Sequence, residues 1–283
     1  MKMDFLSNVA LKSTTLKVGI LTLAIAATTA CSTMATGAEH KMSDAPTTAT
    51  ATSSTAITLG NAATTSGTND TVAIGSQANA GLNSATAVGG QANAAGLGST
   101  SIGWQSKATA ERAQAFGHLA NASGVRSTAV GEAAMAGGTN DTVAVGNKAN
   151  AGLNSATAVG GEANAAGLGS TSIGWKSKAT SERAQAFGHL ADASGVRATA
   201  VGEAAAAQGA NSVAVGNKSM AAGMNSIAIG NEAKAAKNNQ VVLGSAGQVQ
   251  SSTAAQSGTV RIVTIDDNGT LGTMMVDYYQ KAK

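Results

Sequence analysis

The stretch that decides the fold is Asn211-Ser212-Val213-Ala214-Val215-Gly216, answered fourteen residues later by Asn225-Ser226-Ile227-Ala228-Ile229-Gly230. In each, a small residue stands between two large apolar ones and a Gly closes the run. Alternation of this kind has a period of two, the period of a β-strand. Working outward, the closing Gly recurs fourteen times from Gly60 to Gly244, at steps of 14 residues with two of 15. The residue before it is large and apolar in all 14 units, and the residue two before is Ala or Ser in 12 of 14. A second small-residue segment follows in each unit, as in Ala78-Asn79-Ala80 and Ala92-Asn93-Ala94, and a second Gly often closes it, as at Gly81, Gly96, Gly124 and Gly138. Such register is foreign to random low complexity. It predicts a coil of two short strands and two Gly-assisted turns, with equivalent residues of successive coils stacked at ~4.8 Å. Fourteen coils make a rod of roughly 65 Å on that spacing.

Composition agrees with a repeat and excludes most alternatives. The chain has 283 residues, 35 Gly, one Pro and one Cys; 43% of residues are hydrophobic but only 2% aromatic. Most of the apolar content is therefore Ala, too little bulk for the large core of a two-domain enzyme. One Cys excludes a disulfide framework. Charged residues make up 12%, with a net charge of +3 and no basic stripe, so no nucleic-acid surface is expected.

The large residues before the repeating Gly form one ladder: Ile74, Val88, Ile102, Phe116, Val130, Val145, Val159, Ile173, Phe187, Val201, Val215, Ile229 and Leu243. We expect this ladder to be the core. The alternate face carries Ala and no charge, so a partner surface is expected to cover it. A coil this thin does not stand alone, and self-association is the simplest source of that partner. A longer repeat overlies the short one: residues 68–138 and 139–209 match at 61 of 71 positions.

The units quoted above resemble the head repeat of YadA-like trimeric autotransporter adhesins, over residues 56–247. The resemblance implies a left-handed parallel β-roll assembled as a homotrimer on a Gram-negative surface. It also implies attachment to extracellular matrix proteins, host cells or other bacteria as ligand. Two features depart from that family: the sequence shows no heptad stalk and no run of barrel strands. After Gly247 it predicts one hairpin instead, with Val260–Ile265 and Leu271–Val276 around Asp267-Asn268-Gly269, placed to cap the rod over residues 248–283. The other readings left open are a structural spacer or filament subunit, and an ice- or mineral-binding solenoid. Against the last, the Thr three before the Gly gives way to Val72, Gln114 and Val143.

At the other end, Lys2, Lys12 and Lys17 precede an apolar run from Val18 to Ala30, the pattern of a secretory signal in residues 1–31. Thr28-Thr29-Ala30-Cys31 resembles a bacterial lipobox, although Leu is usual at the position of Thr28. Cys31 is the lipidation candidate, and a lipid there is the one membrane contact expected. Residues 32–55, rich in Thr, Ala and Ser, read as a flexible tether.

The position after the repeating Gly carries Gly90, Trp104, His118 and Glu132 in successive coils, and Gly161, Trp175, His189 and Glu203 in the duplicate. Both Trp residues of the chain lie here, and Trp is enriched in binding hot spots. We take these two patches, five coils or ~24 Å apart, as ligand-contact candidates repeated for avidity. Packing across a wider coil, copied passively, is the plainer alternative. Lys107, Glu111, Arg112 and Arg126, with Lys178, Glu182, Arg183 and Arg197 in the duplicate, read as a solvated face. Arg112 and Arg126 are expected to stack as like charges unless Glu111 or solvent relieves them. The Cys and three His residues show no zinc spacing, no phosphate loop opens a helix, and no catalytic set stands out. No cofactor, metal or enzymatic activity is expected.

Overall fold

The computed structural model describes residues 50, 51, 53, 55–257 and 261–275. Signal segment and Cys31 lie outside the described residues. Each coil contributes one strand of two residues and one of three. The two-residue strands, β1 (Thr50–Ala51) through β27 (Lys234–Ala235), make a 14-stranded parallel sheet; the three-residue strands, β2 (Ile57–Leu59) through β28 (Val241–Leu243), make a second. Register is one residue to its equivalent in the next coil: Gln114 pairs with Thr128, Ala115 with Ala129 and Phe116 with Val130. The chain is thus a parallel β-solenoid of fourteen coils, all-β in its body as the periodicity predicts.

What the periodicity misassigned is the inside. Apart from Val242 in the last coil, the side chains between the two sheets are Ala, Ser and Thr. Ala73, Ala87, Ala115, Ala144 and Ala186, each between two large neighbours, are 0% exposed. The large ladder from Ile74 to Leu243 points outward: Ile102 is 39% exposed and Leu243 61%. Phe116 and Phe187, expected in the core, are half-buried on that same outer face. The reason is width. Two short strands and two tight turns bring opposing backbones so close that a methyl or hydroxymethyl group fills the gap, and close packing admits nothing larger. The face that lacks a partner is therefore the large apolar one, and the Ala face is satisfied within the coil. The two departures from Ala or Ser at the inner position, Thr58 and Val242, fall in the first and last coils, where one side of the layer lies uncovered.

The turns explain the glycines. The repeating Gly has φ near +130°, as in Gly117 at +136°, where an added Cβ would lie 2.5 Å from the Gly131 carbonyl oxygen of the next coil. Two residues later the chain enters the left-handed region without glycine, as at Gln77 (φ 58°), Gln105 (φ 54°) and Leu119 (φ 59°). The second turn repeats the device at Ser84, Arg112, Arg126 and Asn211. These side chains are consequently thrown sideways onto the edges of the rod.

Buried hydroxyls are mostly paired. Ser101 and Ser106 share a 2.7 Å hydrogen bond across the interior, and Ser99 Oγ donates to the Gly96 carbonyl at 2.7 Å. Thr71, Ser127, Thr142 and Ser212 are buried with no partner for the hydroxyl.

Both ends add elements to the expected segments. The first strand, Thr50–Ala51, lies inside the segment read as a tether. Beyond β28 comes a helix that the reading of residues 248–283 omitted, α1 (Ala246–Ala254), opened by a capping box. In it Ser245 Oγ accepts from the Gln248 N–H at 3.3 Å, and Gln248 Oε1 accepts from the Ser245 N–H at 2.9 Å. The hairpin forms as predicted, with β29 (Arg261–Ile265) antiparallel to β30 (Leu271–Met275). Asp266 holds its turn: its carboxylate accepts from the N–H groups of Asn268 at 3.0 Å and Thr270 at 2.7 Å. On the hairpin, Val263, Ile265, Leu271 and Met274 are all well exposed. The polypeptide nearest the last coil is the start of α1.

Two substitutions test this interior. Ala144→Leu forces a four-carbon side chain into a layer built for one carbon, and should cost about 3 kcal/mol or more of stability in a urea melt. Ser127→Ala, which installs the residue that the duplicate carries at Ala198, removes an unsatisfied buried hydroxyl and should be neutral or stabilising by up to about 1 kcal/mol. A melting midpoint lowered by Ser127→Ala as far as by Ala144→Leu would overturn this account.

Candidate functional site

The first-turn edge gathers the residues after the repeating Gly into a column. Stacking places Trp104 and His118 face to face, with ring centroids 5.0 Å apart and planes 23° apart; Trp175 and His189 do the same at 4.9 Å and 12°. His118 Nδ1 lies 3.6 Å from Glu132 Oε1, and His189 Nδ1 lies 3.6 Å from Glu203 Oε1. Glu132 Oε2 in turn accepts from the Asn147 amide at 3.1 Å, and Glu203 Oε2 from Asn217 at 3.2 Å. All six predicted residues come together in their two groups of three. The sequence reading missed the Asn residues that close each column. They sit at the same position after Gly146 and Gly216, so the coil register alone would have found them.

The columns lie on the surface. Trp104 is 48% exposed and Trp175 45%, which disfavours the plainer alternative of packing inside a wider coil. Each indole leans over the glycine of the preceding coil: a Cβ at Gly90 would lie 3.1 Å from Trp104 Cδ1, and one at Gly161 3.2 Å from Trp175 Cδ1. A side chain at either glycine would make the indole above it give by a few tenths of an ångström.

The surroundings of the two columns differ. Beside Trp104, Gln105 Nε2 donates to Gln91 Oε1 at 2.6 Å. Beside Trp175, Lys176 Nζ lies 4.2 Å from the indole centroid and 3.6 Å from Glu162 Oε2. Glu162 belongs to the preceding coil and His189 to the following one.

The second-turn edge carries Glu111, Arg112, Arg126 and Asp141, while Lys107 and Lys178 stand in two-residue strands. Arg112 lies 3.7 Å from Glu111. Arg126 makes a two-pronged bond to Asp141, Nε to Oδ1 at 2.7 Å and Nη2 to Oδ2 at 2.9 Å. The expected repulsion between Arg112 and Arg126 is thus relieved by Asp141 as well as Glu111. After Arg197 the next coil offers Asn211 where Asp141 stands after Arg126, so the bidentate pair lies at the junction of the two copies, Arg126 in the first and Asp141 in the second. Among the described residues no group of three or more His, Cys, Asp or Glu residues could hold a metal ion, and no helix is long and apolar enough to cross a membrane.

These coils have known counterparts. The family described as YadA head domain repeat (2 copies) matches residues 83–106, 94–120, 108–134, 122–149, 154–177, 165–191, 193–219 and 221–245. The chain belongs to the YadA head family. Among solved structures it is similar to the collagen-binding domain of the Yersinia adhesin YadA. The two are 22% identical, over 74% of this chain and 82% of that one, with a TM-score of 0.22. No curated protein matches. The matched segments of the YadA head repeat include both Trp columns. Outside those segments, the strands Ile57–Leu59, Thr64–Thr65 and Val72–Ile74 continue the same two sheets.

The Arg126–Asp141 pair makes a checkable prediction. The hydrogen bonds from Arg126 hold the Asp141 carboxyl below the ordinary aspartate range, and the Arg126 guanidinium is raised in return. For a lowered carboxyl, the stabilising contribution is present above the ordinary value and disappears as pH falls through the lowered one. Carboxyl titration by NMR should find the Asp141 midpoint low, and Arg126→Gln should return it to the ordinary range. A midpoint indifferent to Arg126→Gln would show that the pair does not persist in solution.

Proposed function

We propose that this chain is the adhesive head of a homotrimeric surface protein of a Gram-negative bacterium, working by attachment and without covalent chemistry. The observation that carries the reading is the outer face of the three-residue strands. A roll whose interior is sealed by Ala still leaves a continuous column of Val, Ile, Leu and Phe open along its whole length. A contiguous apolar strip of that size marks an association surface. Its periodicity matches a second copy of itself, and membership of the YadA head family supports three copies around one axis. Packing the large ladder at the centre leaves the first-turn edges, with their Trp columns, free to face outward.

The named relative is a collagen-binding domain, which makes a matrix protein the first ligand class to try for this chain. Trp104 with His118 and Trp175 with His189 supply rigid aromatic anchors of the kind that dominate binding energy. Export through the signal at residues 1–31, with a lipid on Cys31, would hold the rod at the outer membrane by its N-terminal end.

Sedimentation of the exported chain should give an elongated particle of three chains. Ile102→Asp with Ile173→Asp places charge on the outer ladder without touching the Ala interior, and should shift the particle to a folded monomer with an unchanged β-sheet circular dichroism. A wild-type chain that sediments as a monomer would sink the trimer. Separately, Trp104→Ala with Trp175→Ala should lower adhesion to immobilised collagen or to cells about tenfold or more while the oligomer stays intact; undiminished adhesion would remove the Trp columns from the contact surface.

A further inference from the structure

We infer that the two Trp columns are no longer copies of one site, and that the first, at Trp104, is a binding position for a neutral pyranose ring of a glycan. This rests on the adhesive reading above and adds to it the class of ligand. The 71-residue duplicates differ at only ten positions. Two of the ten are Gln91 against Glu162 and Gln105 against Lys176, which face each other across adjacent coils in both copies. The change is therefore concerted: an amide pair in one copy corresponds to an ion pair in the other. It falls at the one place where it governs access to the indole.

In the second column, His189 stacks on Trp175 and the Lys176 ammonium also lies over the indole, 4.2 Å from its centroid. That ammonium proves that the coil geometry leaves room for a group at ring-contact distance. In the first column the equivalent residue is Gln105, turned aside into its bond with Gln91. Trp104 therefore keeps a face for a ligand, with His118 behind it. The frame of that face is uncharged: Gly90 against the pyrrole edge of the indole, and two carboxamides at the rim. The C–H groups of a pyranose carry partial positive charge and pack on the negative face of an aromatic ring. Carboxamides offer both donor and acceptor to sugar hydroxyls. A cationic ligand is less well served, because the carboxylate that steadies Lys176 in the second column is Gln91 in the first. The left-handed backbone at Gln91 (φ 58°) and Gln105 (φ 54°) fixes where both amides leave the rod.

The test uses the chain's own fluorescence, since it contains two Trp residues. Trp175→Phe leaves Trp104 as sole reporter, and Trp104→Phe leaves Trp175. Each variant is titrated with cellotetraose, maltotetraose and chitotetraose, and with a lysine-glycine tetrapeptide as the cationic arm. Trp104 should respond saturably to at least one tetrasaccharide, at least tenfold more tightly than Trp175. Gln91→Glu with Gln105→Lys should weaken Trp104 to the level of Trp175, and Glu162→Gln with Lys176→Gln should strengthen Trp175. These exchanges install residues that the other copy already carries on the same backbone, so folding is preserved. No response of Trp104 to any tetrasaccharide, an equal response at both Trp residues, or a response to the peptide alone would each overturn the inference. If Trp104→Ala with Trp175→Ala abolishes adhesion while no tetrasaccharide binds, the adhesive reading stands and the glycan assignment falls.

Discussion

The distance between the two sheets is the constraint on which the rest of this structure depends. Coils of 14 residues, divided into strands of three and two with tight turns between, bring the backbones to within one methyl group of each other. Every other feature follows from that thinness. Ala, Ser and Thr are the only side chains that fit, so the interior contributes little apolar area per residue. Order must come instead from the continuous parallel ladders and from the glycines that let one coil lie directly on the next. Gly117 illustrates the economy: its φ of +136° and its approach to Gly131 both forbid a Cβ.

Large apolar residues, excluded from the interior, collect on one outer face, and the chain acquires a sheet whose exposed side is more hydrophobic than its buried side. This inverts the usual arrangement of a half-solvated sheet. The residues with the most hydrophobic area to bury are thus the ones that the coil itself leaves on its outside. Extension by duplication is then cheap in structural terms. A block of five coils adds interior, ladder and edge in proportion and asks for no new contact type. The edges are free to diverge, since side chains there meet only their counterparts one coil away.

Period, strand alternation, coil number, hairpin and the grouping of Trp104, His118 and Glu132 were all legible in the residues. Inside and outside were not. Alternation of Ala with Val or Ile tells which residues share a face, and hydrophobicity argues that the larger ones face in. That argument fails when the cavity is narrower than the side chain, a tertiary distance with no local signature. The helix at Ala246–Ala254 was missed because Ser245 and Gln248 form a capping box ahead of a segment with almost no apolar face. No residue of that helix is buried, so the periodic signal used elsewhere was absent. Asp141 was missed as the partner of Arg126 because the intervening step is one of the two 15-residue coils, which moves the partner out of the expected register.

The same one-coil reach explains how a duplicated surface can change its chemistry without disturbing its shape. Side chains on the first-turn edge interact in columns, so a substitution is felt one rung up and one rung down and then stops. Trp175, His189 and Glu203 keep the geometry of Trp104, His118 and Glu132 almost unchanged, while the pair one position along, Glu162 with Lys176, replaces a neutral rim by a charged one. In a globular core such a paired replacement would carry a desolvation cost and would have to be compensated among many neighbours. On the edge of a solenoid the two residues need satisfy only each other and the solvent. A stacked repeat can therefore hold a rigid aromatic column constant and vary the charge that frames it, one pair of coils at a time.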